Sequence, residues 1–63
     1  TIVEDTILVT DYATGNIFAF DLDGNLIDWM ATGLEGLMGI EARSLEDLWV
    51  VDSASDRVLR IQP

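Results

Sequence analysis

Sixty-three residues make at most one small domain, and a domain of that size buries only about 60% of the surface its unfolded chain exposes. With no cysteine and no histidine, disulfides, thiolate zinc sites, the commonest transition-metal ligand and the commonest general base are all excluded. Twelve acidic residues against three arginines give a net charge of −9, which opposes binding to nucleic acid and to anionic membrane surfaces, since both present phosphate.

In chain order, Thr6–Asp11 is β-branched and apolar and predicts a strand, followed by a turn at Ala13-Thr14-Gly15-Asn16. Ile17–Leu22 predicts a second strand. Asp23-Gly24 then reads as a two-residue hairpin turn, because Gly takes positive φ at no steric cost. Leu26–Thr32 predicts a third strand and Gly33–Gly36 a link. From Gly33 to Glu46 a helix competes, with Leu34, Leu37, Met38 and Leu45 as its stripe. Gly33, Gly36 and Gly39 oppose it, each costing about 1 kcal/mol in a helix interior. The segment is therefore read as a loop with a strand over Leu37–Ala42, then a turn over Arg43–Asp47. Leu48–Asp52 and Arg57–Gln62 complete the series. Strands of about six residues at this spacing, bounded by Gly, Asn, Asp and Ser, predict an antiparallel all-β meander. No apolar run approaches the roughly 20 residues of a membrane helix.

The first hairpin returns near the end of the chain. LVTDYATGNIFAF (8–20) and WVVDSASDRVLRI (49–61) align at an offset of 41, with Ile7 on Leu48, Val9 on Val50, Asp11 on Asp52, Ala13 on Ala54 and Ile17 on Val58. A self-match at a period between 20 and 50 residues is the mark of a solenoid, propeller or array.

The quoted steps Leu8-Val9-Thr10-Asp11 and Trp49-Val50-Val51-Asp52, the Asp21-Leu22-Asp23-Gly24-Asn25 turn and the Gly-containing link before Leu37 resemble six-bladed β-propeller repeats of the NHL or YWTD type, SMP-30-like propellers included. The resemblance spans nearly the whole chain. It implies four-stranded antiparallel blades, with residues 1–36 supplying strands b, c and d of one blade and 37–63 strands a, b and c of the next. The first blade would lack its inner strand and the second its outer strand. The resemblance is specific for architecture alone, because such propellers include lactonases, lyases, receptors and scaffold modules.

Consecutive apolar residues at Ile7-Leu8-Val9, Ile17-Phe18-Ala19-Phe20 and Leu48-Trp49-Val50-Val51 predict sheets covered on both faces. Too little chain is present to cover them. The expected partners are therefore identical copies, forming a homo-oligomer, or the rest of a longer propeller.

Asp11 and Asp52 recur at matching positions. Their expected role is to fix the following turn through backbone N–H groups; the alternative is a carboxylate ring at a propeller mouth that holds a metal or acts as acid/base. The turn at Asp23 and Gly24 fails as a calcium loop, since the register puts Ala19 and Met30 where carboxylates belong. Trp29, on the outer strand, and Tyr12 are the candidates for ligand contact, a sugar for example, whereas Trp49 is expected in the core. Arg57 and Arg60 are expected to pair with carboxylates. Ser53 and Ser55 have no His or Lys to activate them, and Gly33, Gly36 and Gly39 make no phosphate loop. The expectation is a non-catalytic, self-assembling module without cofactor or metal. The alternatives are a fragment of a metal-dependent lactonase-like enzyme and a glycan-binding propeller.

Overall fold

A computed structural model describes all 63 residues and contains seven strands and no helix. They are β1 (Ile2–Val3), β2 (Thr6–Asp11), β3 (Asn16–Phe20), β4 (Leu26–Ala31), β5 (Leu37–Ser44), β6 (Asp47–Asp52) and β7 (Arg57–Ile61). They form two antiparallel sheets in chain order, β1-β2-β3-β4 and β5-β6-β7, and neither closes on itself.

The N-terminal sheet has four strands, not the three expected: β1 pairs along the edge of β2. Ile2 pairs with Ile7 and Val3 with Thr6. The ladder continues to Thr1, whose carbonyl accepts the Leu8 N–H at 2.9 Å. The turn is Glu4-Asp5, with φ of 52° and 56°. Two successive left-handed residues give the primed turn whose twist matches the flanking strands. Two acidic residues carry it without glycine, so its signature is faint.

The β3–β4 turn also differs from expectation. Strand β3 ends at Phe20, and Phe20 pairs with Leu26 across a register shift. Gly24 is left-handed (φ 88°) but Asp23 is not, so Asp23-Gly24 is not a two-residue primed turn. The loop is longer and closed by Asp21: its N–H donates to the Asn25 carbonyl (2.9 Å), and its carbonyl accepts from the Gly24 N–H (3.0 Å). Its carboxylate accepts from the backbone N–H groups of Asp23 and Asn25, each at 2.9 Å, and from Asn25 Nδ2 at 3.0 Å. The stretch is a hairpin turn with Gly24 at positive φ, as expected, but the carboxylate that organises it is that of Asp21.

The link after β4 straps one sheet to the other. Thr32 donates through its N–H (3.0 Å) and its hydroxyl (2.7 Å) to the Gly15 carbonyl, at the tip of the β2–β3 hairpin. At the other end, Gly36 offers its carbonyl to the N–H (2.8 Å) and hydroxyl (3.1 Å) of Ser53, in the β6–β7 hairpin. Strand β5 then runs eight residues, through irregular pairing between Leu37 and Ile40 and between Ala42 and Ser44.

The two sheets pack face to face, with β1 and β2 against β5. Leu8 and Ile17 from the N-terminal sheet meet Leu37, Leu48 and Val50 from the C-terminal sheet, and these five form the buried core. Ala19, Met30, Ile40, Ala42, Leu59 and Ile61 flank it. Only nine residues are buried, so the packing between sheets leaves most of the chain at the surface.

Candidate functional site

Strand geometry sorts the side chains onto four faces, because neighbours along a strand point to opposite sides and cross-strand partners share a side. In the N-terminal sheet, Thr6, Leu8, Ile17, Ala19 and Met30 face inward to the core; Ile7, Val9, Phe18, Phe20 and Trp29 face outward. In the C-terminal sheet, Leu48, Val50, Leu59 and Ile61 face inward; Trp49, Val51, Val58 and Arg60 face outward.

Trp49, expected in the core, lies on the outer face and is 38% exposed. The burial of β6 alternates strictly, with Leu48, Val50 and Asp52 buried and Trp49 and Val51 exposed. Beside it Arg60 lies 5.6 Å from the Trp49 ring centroid, a distance at which a guanidinium is held by the ring's quadrupole. The same guanidinium forms a two-point bond to Asp47, at 2.7 and 3.2 Å. That bond raises the Arg60 pKa and holds the Asp47 carboxyl below its ordinary value.

Asp11 and Asp52 do the same local work. Each accepts the N–H two residues on, Ala13 at 3.1 Å and Ala54 at 3.2 Å. Asp52 is buried and additionally receives the Ser55 hydroxyl at 2.6 Å. The Ser55 bond, with smaller help from the backbone, lowers the Asp52 pKa. Arg57 reaches this carboxylate indirectly, donating from Nε to Ser55 Oγ at 2.9 Å. Ser55 is thereby committed to the turn. Asp21 is likewise held below the ordinary range, first by the Asn25 backbone N–H and then by the Asn25 side chain.

Trp29 is 59% exposed on β4, opposite Phe18. Tyr12 is 61% exposed in the β2–β3 turn. An open apolar cleft of about 380 Å³ runs along the inner side of β4, bounded by Ala19, Asp28, Trp29 and Met30 and, from the other sheet, by Leu48 and Pro63. Tyr12 does not line it, so the two ligand candidates do not converge. No group of three or more Asp or Glu side chains is placed to hold a metal ion. The cleft had no signal in the sequence; the consecutive apolar runs pointed to two apolar faces per sheet without saying which residues lie on which.

No family model, no curated protein and no solved structure matches this chain.

Proposed function

We propose that this chain is a non-catalytic structural module, a propeller-type repeat of about one and a half blades whose work is to pack against further blades. Those blades come from identical copies or from the rest of a longer propeller.

One observation carries the reading. Strands β2 and β6, and β3 and β7, begin and end at positions 41 apart. Adding that offset to the inward face of the N-terminal sheet turns Leu8, Thr10 and Ile17 into Trp49, Val51 and Val58, which is the outward face of the C-terminal sheet. Adding it to the outward residues Ile7, Val9, Phe18 and Phe20 gives Leu48, Val50, Leu59 and Ile61, which is the inward face. Each outer face is thus the counterpart of a surface that the chain itself buries. A second copy set head-to-tail would repeat the internal packing, as heterologous contacts do. Fully burying one large apolar side chain is worth about 1.5–3 kcal/mol, so leaving both faces wet forgoes several such gains.

Solvent shielding of Trp49 tests this. In a Trp29→Phe variant Trp49 is the sole tryptophan. Its fluorescence is expected to shift blue and resist acrylamide quenching as concentration rises. A quenching constant that stays high and independent of concentration contradicts the reading.

A further inference from the structure

The C-terminal sheet stops at β7, whereas in the N-terminal sheet the corresponding strand, β3, carries β4 on its far side. The free side of β7 is a row of unpaired backbone donors and acceptors, and such an edge templates another strand. The apolar cleft lies along the inner side of β4, where the opposing sheet has no fourth strand, and Pro63, two residues beyond β7, forms part of its wall.

The register of β3 with β4 specifies what fits. Ile17 pairs with Met30, Phe18 with Trp29 and Ala19 with Asp28. Transferred to β7, those partners fall opposite Val58, Leu59 and Arg60. The tryptophan then shares the inward side with Leu59, the same side of the sheet on which Leu48 borders the cleft. The aspartate falls directly opposite Arg60, where opposite charges on paired strands attract. In the N-terminal sheet that position is Ala19, which gives Asp28 no counter-charge. Arg60 already holds Asp47 at 2.7 and 3.2 Å, and an acid placed opposite it on an added strand meets the same guanidinium.

We infer that the β7 edge and the adjoining cleft form a strand-acceptor site for an extended segment of a partner polypeptide. The segment carries an acid followed by an aromatic residue, with apolar residues on both sides. The inference rests on the blade reading above, in that it uses the same offset, but it does not require copies to assemble.

A synthetic peptide with the sequence of residues 24–32, GNLIDWMAT, is the probe, titrated into the full chain labelled for NMR. The expected result is saturable one-to-one binding, with amide protection gained along Arg57–Ile61 and peptide tryptophan emission shifted blue. A peptide with Asp28→Lys is expected to bind at least threefold more weakly, and this difference is expected to shrink in the Arg60→Ala chain. A Trp29→Ser peptide is expected to lose most of its affinity.

Absence of binding at millimolar peptide overturns the inference, as does binding that leaves the β7 amides unchanged. Pairing of β7 with a second copy of the chain in place of the peptide also overturns it. Assembly without peptide binding removes the acceptor site alone; peptide binding by a strictly monomeric chain removes the assembly reading alone.

Discussion

Gly15 and Asp56 hold the same left-handed backbone, with φ of 73° and 54°, at hairpin positions 41 apart. Their surroundings explain the different residues. A Cβ on Gly15 would stand 2.4 Å from the Leu34 carbonyl oxygen, in the strap that crosses the hairpin. No equivalent strap crosses the second hairpin within this chain, and a side chain is accommodated there at the cost of strain. Asp56→Gly is therefore expected to stabilise the fold by roughly 1 kcal/mol, since a non-glycine residue is strained in this region. Urea denaturation checks it; a loss of stability contradicts the account.

Gly36 anchors the other end of the strap. A Cβ there would meet the Ala54 backbone nitrogen at 2.3 Å, and backbone yields poorly. Gly36→Ala is expected to cost about 1–3 kcal/mol, as overpacking does. Gly24→Ala meets no neighbour and is limited to the strain of positive φ. Thermal melts of the two variants are expected to rank Gly36→Ala as the more damaging.

Leu37 is fully buried where the two sheets meet. Leu37→Ala is expected to cost about 2–5 kcal/mol. Val51→Ala, on the exposed outer face, is expected to change monomer stability by less than about 1 kcal/mol. Denaturation at low micromolar concentration separates the two.

The lowered pKa values of Asp21, Asp47 and Asp52 fix a pH direction. A carboxyl whose folded pKa lies below its unfolded value stabilises the fold above the unfolded value, near 4, and that contribution is lost as pH falls through the folded value. Stability from these three carboxylates is expected to hold at neutral pH and decline below about pH 4. The melting temperature of Asp52→Asn is expected to fall less between pH 5 and pH 2 than that of the parent. An unchanged or steeper decline contradicts the role given to the Ser55 and Ala54 bonds.

Much of the sheet order was legible because β-branched runs and turn residues alternate at short spacing. The match of Leu8–Phe20 to Trp49–Ile61 added the correspondence of β2 with β6 and of β3 with β7. The faces were not legible. When Leu48, Trp49, Val50 and Val51 are all apolar, sequence offers no alternation to say which pair is inside. The fold places Leu48 and Val50 against Leu8 and Ile17 and leaves Trp49 out. β1 escaped notice because two residues carry little pattern and its Glu4-Asp5 turn lacks glycine. Asp21 carries no turn signal of its own in the sequence, because the three bonds its carboxylate makes come together only in the folded loop.

The outer faces are proposed to pack against more of the same fold. Native mass spectrometry of the chain at neutral pH, beside a Val58→Glu variant, addresses it directly. Val58 is 64% exposed, so a glutamate there leaves the monomer intact but sets a charge in the contact. The account predicts multiples of 7.0 kDa for the parent and a shift toward the single chain for the variant. A parent that remains a folded 7.0 kDa species at every concentration up to millimolar contradicts covering of these faces by identical copies.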